Sequence, residues 1–454
     1  MSSSPKPASK NEFKIGIEVF YTDTDGIGGR LRKKPEDFIV EEIPLPMKIH
    51  EIDESIGIHK DKLYSVAKVR AVNWETNALI RVLSQKLRIP RQKIFFAGTK
   101  DKRAVTTQIM SFGTSPENLE RVDIKGIDIF DITTSNTRMK LGNLLGNRFK
   151  INVKEIDLDT TELNSILENT TLQLEILNQG FPNFFGVQRF GAIRPITHLF
   201  GKYIVQGDFE SAVFSYIGTP MEGENEEVFK AREFVDKTHD FDQAFDLFPK
   251  HLGFERTLIK YLINHPENYA DAIKQLPRNL QIMFIHAYQS YLFNKILSER
   301  IRRGLPLNEP VKGDFVLIVD KYGQPDHDNW LEATGDNLNK LTRRVAEGKA
   351  FVSGVLYGVE SEFAGGEPGE IERAVIESEG LKNTDFIIPE IPKLSSKGLR
   401  REFVAPVKGF EYEVHMASSK PEVDSVEFKF ELNKGCYATS LLREYIKAVD
   451  LRVY

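Results

Sequence analysis

The hydrophobic period of the chain changes several times along its length. FKIGIEVF (13–20) reads as a strand, and DGIGG (25–29) then turns the chain. LRKKPEDFIVEEIP (31–44) carries Pro35 and the alternating apolar positions Phe38 and Val40, which predicts a second extended stretch. In LYSVAKVRAV (63–72), Leu63, Ser65, Ala67 and Val69 share one side, the pattern of a further strand. The period then lengthens. Over 75–89, Ala78, Leu79, Val82, Leu83 and Leu87 fall on one face, Asn73 or Thr76 is available as an N-cap, and Pro90 stops the run. That pattern predicts an amphipathic helix. KIFFAGTKD (93–101) is a short apolar run broken by Gly98, a buried strand entering a loop. FKINVKEI (149–156) alternates, with Phe149, Ile151 and Val153 inward and Lys150, Asn152 and Lys154 outward, and VEFKFEL (426–432) repeats the alternation.

The middle of the chain differs. Residues 200–300 are helix-like, with few β-branched runs, and 278–303 form a long helix candidate with Ile282, Ile285, Leu292, Ile296 and Leu297 among its apolar positions. Strand-like DFVLIVD (314–320) and FVSGVLYG (351–358) follow, and no internal repeat is visible. The order is β-rich, helical, mixed, then β again. It predicts an α+β domain interrupted by an inserted domain, with the C-terminal segment returning to complete the first.

Composition narrows the function classes. The single cysteine, Cys436, excludes a disulfide framework, an iron–sulfur cluster and a Cys-based zinc site, and reads as a small packing residue. No run approaches the ~18 consecutive apolar residues of a membrane helix. MSSSPKPASKN at the start is polar and lacks the apolar core of a signal peptide, so residues 1–11 are expected to be a disordered tail and the protein intracellular, in the cytoplasm. The net charge is −5, without the basic pI that flags many nucleic-acid binders. That total hides an asymmetry. Residues 84–103 hold seven basic side chains against Asp101 alone, 132–154 hold five with no acid, and 205–250 hold eleven acids against four basic residues. The basic segments suit a polyanion, and both kinds of block are also compatible with ordinary solvated faces.

Most familiar catalytic strings are missing: no GxxxxGK[ST], no strand-linked GxGxxG, no GxSxG and no HExxH, and no two of the nine histidines have metal-ligand spacing. No metal or cofactor is therefore expected. FFAGTKDKRAVTTQ (95–108) is the exception. It places one carboxylate, Asp101, among Lys100, Lys102 and Arg103 just after a glycine turn. Nearby cations favour the ionised form, and a carboxylate where phosphates gather can act as nucleophile or base on a ribose carbon. The residue types alone are equally those of a surface turn laced with ion pairs.

The full string closely resembles the GxKDxxAVTxQ motif of the TruD family of tRNA pseudouridine synthases. Five other segments resemble family motifs in the family's order: LRKKPEDFIVEE (31–42), LGNLLGNRF (141–149), NFFGVQRFG (183–191), SYLFN (290–294) and KGCYATSLLRE (434–444). The resemblance implies that Asp101 is the catalytic aspartate, that Phe185 sets an aromatic ring against the target base, and that Asn183 hydrogen-bonds backbone and base. It places Arg32 where the family often has Lys, as a cation orienting Asp101. A planar fork there is not equivalent to a point charge. Gln188 and Arg189 are candidate RNA contacts, and the basic segments supply Lys86, Arg91, Lys93, Lys100, Lys102, Arg103, Arg138, Lys140 and Arg148 as further ones.

The resemblance further implies a pseudouridine-synthase α+β core of mixed, largely antiparallel sheet. Residues 12–214 and 400–454 would form that core and 215–399 an inserted α/β TRUD-type domain. The partner would be tRNA, modified at a D-stem uridine, position 13, with no cofactor, no membrane and no obligate protein partner. The rival from another class is a noncatalytic RNA-binding or RNA-chaperone protein on the same fold. A glycoside hydrolase would need two carboxylates flanking the bond, and Asp101 has no acidic neighbour in its loop.

Overall fold

The computed structural model describes residues 5–45, 64–100, 102–417 and 423–454. The fold is α+β. The chain falls into two compact units. A sheet unit is built from Gly26–Asn169, Ala405–Ala438 and Val453–Tyr454, and a helical unit from Met1–Asp25, Thr170–Val404 and Thr439–Arg452. The expected insertion, 215–399, lies wholly within the helical unit, together with 170–214.

The sheet unit begins with six strands: β1 (Phe38–Pro44), β2 (Tyr64–Val72), β3 (Ile94–Phe96), β4 (Val105–Phe112), β5 (Ile127–Ser135) and β6 (Leu144–Lys154). They are joined by the late strands Val404–Met416 and Val423–Asn433. The order is β5, β2, β4, β1, β6, Val423–Asn433, Val404–Met416, with β3 also on β4. β1 runs parallel to β4, while β1–β6, β2–β4, β2–β5 and β6 with Val423–Asn433 are antiparallel, so the sheet is mixed. The period-two reading of β6 holds: Phe149, Ile151 and Val153 are buried and their register partners Phe430, Phe428 and Val426 are buried with them. Ala67, Val69 and Ala71 of β2 pack with Met110 and Phe112 of β4 under Leu79, Ile80 and Leu83 of the helix Thr76–Leu87.

That helix is capped differently from expectation. Its N-cap is Glu75, whose carboxylate accepts the N–H groups of Asn77 and Ala78, and Arg88 ends it in the left-handed region at φ 55°. Both expected caps are engaged by the loop before β4. Asn73 Oδ1 accepts the Arg103 N–H, and Thr76 Oγ1 accepts the Lys100 N–H.

In the helical unit the 25-residue helix Arg278–Arg302 is flanked by Thr197–Val205 and Gly366–Ser378. Its contact with Thr197–Val205 depends on Gly201, where a Cβ would fall 2.0 Å from the Phe284 carbonyl oxygen. A four-stranded antiparallel sheet runs in the order Leu399–Glu402, Ala350–Leu356, Phe315–Val319, Pro325–Glu332.

Two expectations for the N-terminus are corrected. Residues 5–11, assigned to a disordered tail, are ordered: Pro7 bridges Val19, and Ser9 and Glu12 form a capping box on the short helix Lys10–Phe13. Segment 13–20 is consequently not a strand. Its Gly16 takes φ +79° and sits where a Cβ would lie 2.6 Å from the Tyr291 carbonyl oxygen, and Glu12 is buried against Arg443. Among the described residues, no helix is long and apolar enough to cross a membrane.

His198 lies 2% exposed between the edge of Phe190 and the stacked ring of Tyr291. Burial pulls its pKa down from 6.5 to about 4, despite a hydrogen bond to the Lys14 backbone. With the folded pKa depressed, the unfolded state binds the extra proton first, so stability falls as pH drops from 6.5 towards 4. Urea unfolding at pH 7 and pH 5 should show a loss of about 2 kcal/mol from this group that is absent in His198→Asn. The same pH dependence in both proteins would contradict the assignment.

Candidate active site

The string 95–108 runs from β3 through a loop into β4. Asp101 lies outside the described residues, and its neighbours are held from several sides. Gln108 Nε2 donates to the Gly98 carbonyl at 2.7 Å. The Lys100 N–H donates to Thr76 Oγ1 at 2.7 Å, and the Asn73 N–H donates to the Ala104 carbonyl at 2.9 Å. Lys100 is 9% exposed, and its ammonium pairs with Glu42 Oε1 at 2.5 Å. The charge of Lys100, expected to contact RNA, is thus paired inside the protein. Removing either member of such a pair leaves an uncompensated buried charge, at a cost of about 3–5 kcal/mol. Arg32 has φ 56°, its guanidinium lies 4.2 Å from the Phe38 ring centroid, and its carbonyl accepts from Arg103 at 3.3 Å.

The other cations of the sheet unit divide into two groups. Lys86, Arg91, Lys93, Lys102, Arg103, Arg138 and Lys140 are exposed and form no salt bridge among the described residues, and Arg138 lies over the Phe95 ring at 4.6 Å. Arg148 is also exposed, but it pairs with Glu431 at 2.7 Å and lies 3.6 Å from Glu41. Lys150 pairs with Glu427, and Lys154 lies 3.8 Å from Asp37 and from Asp424. Three of the five cations in the basic run 132–154, Arg148 among them, thus meet acids on neighbouring segments. A cavity of about 490 Å³ in this unit is lined by Glu42, Lys68, Arg70, Thr107 and Phe130 among others. Lys68 and Arg70 were not singled out from the sequence. Glu413, His415 and Glu427 bring three potential metal ligands within 4.8 Å, but Lys150 and Lys429 already neutralise Glu427.

The second group of expected residues belongs to the helical unit. Asn183 is fully buried. Its Nδ2 donates to Glu402 Oε1 at 2.8 Å and to the Glu402 carbonyl at 3.1 Å, while its Oδ1 accepts from Arg401 at 2.6 Å. Both ends of this amide, expected to meet backbone and base, are engaged inside the protein. Phe185 is 6% exposed, with the Arg401 guanidinium 4.1 Å from its centroid and Phe293 edge-on at 5.7 Å. Its backbone is gripped at both ends by one side chain: the Phe185 N–H donates to Asn294 Oδ1, and Asn294 Nδ2 donates to the Phe185 carbonyl. Gln188 Oε1 accepts from Thr439, the Phe184 carbonyl accepts from Ser440, and Arg189 Nε donates to Ser290 Oγ. Glu402 is held ionised below the usual carboxylate range, against the opposing effect of burial, by His327 and by the Arg401 charge.

Strings 183–191 and 290–294 and the part of the last string from Thr439 onward are therefore one hydrogen-bonded assembly. Matching to family models extends this. The model of tRNA pseudouridine synthase D (TruD) matches residues 14–445. The chain belongs to the TruD family. It is 41% identical to a probable tRNA pseudouridine synthase D of Methanosarcina barkeri over 97% of this chain and 98% of that one. It is 42% identical to one of Methanococcoides burtonii, again over 97% and 98%. The crystal structure of a protein of Methanosarcina mazei assigned to TruD superposes with a TM-score of 0.82 at 40% identity, covering 97% of this chain and 98% of that one.

For this member of the TruD family the sequence reading missed Glu42, Asn294, Arg401 and Glu402, and gave Thr76 only as a helix cap. Glu42 and Asn294 close two of the quoted strings, and their polarity at buried positions was the available signal. Arg401 and Glu402 lie in none of the strings. Asn183→Ala should lower the unfolding free energy by about 3 kcal/mol, because it strips hydrogen bonds from two buried ions. Urea denaturation measures this, and a loss under about 1 kcal/mol would show that Arg401 and Glu402 satisfy each other without the amide.

Proposed function

We propose that the protein isomerises a uridine of tRNA to pseudouridine at position 13, in the D-stem region, acting in the cytoplasm, with Asp101 as the initiating carboxylate. The observation that carries the reading is the family match over residues 14–445, which includes the string FFAGTKDKRAVTTQ around Asp101. The reaction breaks the N1–C1′ bond of uridine, turns the base, and joins C5 to C1′. N1 gains a proton and C5 loses one, so the isomerisation is redox-neutral and consumes no nucleotide. Asp101 begins it by attack on the sugar or by taking a ribose proton. Arg32 orients the carboxylate. Phe185 meets the base, and Asn183 acts by holding Arg401 against the Phe185 ring.

The uridine must leave its stack to react, which costs a few kcal/mol. Phosphate contacts through Lys86, Arg91, Lys93, Lys102 and Arg103 help offset this, since all are exposed and none is offset by a described acid. Each phosphate neutralised adds about −0.7 to −0.9 to the slope of log K against log salt. Replacing Lys86, Arg91 and Lys93 together by Ala should flatten that slope by about two units. Arg148→Ala should change it by much less, because Glu431 already holds that charge. Equal effects would mean that the Arg148 pair opens onto RNA.

Mapping pseudouridine in tRNA incubated with the purified protein tests the reaction, and Asp101→Asn tests the residue. The exchange is nearly isosteric and removes the charge that attacks carbon or takes a proton, so yield should vanish while folding and tRNA affinity persist. Normal yield would refute the catalytic role. Loss of affinity with intact folding would make Asp101 a binding residue.

A further inference from the structure

We infer that Glu42 and Lys100 are a positioning pair for the loop that carries Asp101, and that Lys100 acts through Glu42 rather than by touching RNA. This rests on the proposal that Asp101 is the initiating carboxylate.

Lys100 is the residue before Asp101, and each of its polar groups is engaged. The ammonium meets Glu42 Oε1 at 2.5 Å, with the two side chains 8% and 2% exposed. The N–H donates to Thr76 Oγ1 at 2.7 Å, and the carbonyl accepts from the Thr76 N–H at 3.4 Å. The other oxygen of Glu42 accepts the Ile109 N–H at 3.1 Å. One carboxylate on β1 therefore ties the loop to β4, the strand the loop enters. Gln108 Nε2 adds a tie to the Gly98 carbonyl on the near side of the loop. Shifting residue 100 would break an ion pair and two backbone hydrogen bonds together. Chemistry at a sugar carbon needs this restraint, because a misplacement of about 1 Å can cost about 10²-fold in rate. The same geometry argues against an RNA role. The ammonium cannot reach a phosphate without leaving Glu42 unpaired inside the protein, whereas Lys102 and Arg103 on the far side of Asp101 are exposed. The pair also gives a physical reason for two strings 58 residues apart, one ending in Glu42 and one containing Lys100, to occur together.

The test compares Glu42→Gln, Lys100→Met and the double variant with a Lys102→Ala/Arg103→Ala protein. The readouts are single-turnover rate, tRNA Kd and amide hydrogen exchange over 97–104. Each single variant should lose about tenfold or more in rate, with Kd within about twofold of the parent. Exchange over 97–104 should quicken about tenfold, while that of β2 does not change. The double variant leaves no unpaired buried charge, so its melting temperature should exceed those of the single variants. Its rate should stay low, since an amide facing a thioether lacks the directional hold of the ion pair. If the single variants do not fold, the double variant carries the test. Parental rate in any folded variant overturns the inference. So does a loss of tRNA affinity in Lys100→Met as large as in the Lys102→Ala/Arg103→Ala protein. Asp101→Asn, run alongside, separates the two layers. Full yield from it refutes the catalytic reading. The exchange data then decide the anchoring by themselves: faster exchange upholds it and unchanged exchange overturns it.

Discussion

Taking a guanidinium or a carboxylate out of water costs several kcal/mol unless a partner meets it, and the interior of this protein obeys that constraint repeatedly. Arg300 is 1% exposed and forks onto both oxygens of Asp314. Arg400 meets Glu372, Arg232 meets Glu224 and Glu255, and Arg443 meets Glu12 and Glu444. Glu42 with Lys100 in the sheet unit belongs to the same class. Such pairs are weak evidence for stability, because well-packed apolar residues of similar volume often do as well. What they supply here is geometry: each admits one arrangement of the elements it joins.

The candidate site inherits that geometry. On the sheet unit, the loop before β4 is pinned by Glu42, Thr76, Asn73 and Gln108, while Lys102 and Arg103 stay exposed. On the helical unit, Phe185 is fixed by Asn294 along its backbone and by Arg401 against its ring. In both places the groups proposed to meet RNA are few, and the side chains that hold them are buried and polar. Chemistry at a sugar carbon draws on positioning and electrostatics, and fixed, buried polar groups supply both.

Charge shows most clearly where a linear reading goes astray. Segment 132–154 has five cations and no acid in sequence, yet Arg148, Lys150 and Lys154 face Glu431, Glu427, Asp424 and Asp37 across neighbouring strands. Segment 84–103 also looks basic, and there the exposed cations stay free of described acids while Lys100 turns inward. Net charge along a chain therefore ranks segments poorly as phosphate binders. The acids that neutralise a strand sit on its sheet neighbours, and register sets which those are.

The sequence by itself determined a good deal. The period-two alternation at 64–72, 149–156 and 426–432 and the period near 3.6 at 75–89 and 278–303 announce elements that form there, because burying one face of a strand or helix needs only local spacing. Six ordered strings were enough to point to the TruD family, since each is a short run whose residue types are set by its own backbone and chemistry. Only the tertiary structure decided the rest. It buried Asn183 between Arg401 and Glu402, covered the Phe185 ring with Arg401, drew Lys100 onto Glu42, and ordered residues 5–11 through Pro7, Ser9 and Glu12. Except for the local Ser9–Glu12 capping box, these outcomes turn on a partner more distant in sequence than any local window, or on a competitor for the same hydrogen bond, as when Thr76 serves Lys100 and leaves the helix cap to Glu75. Local spacing says which groups must be satisfied, and the packed chain chooses what satisfies them.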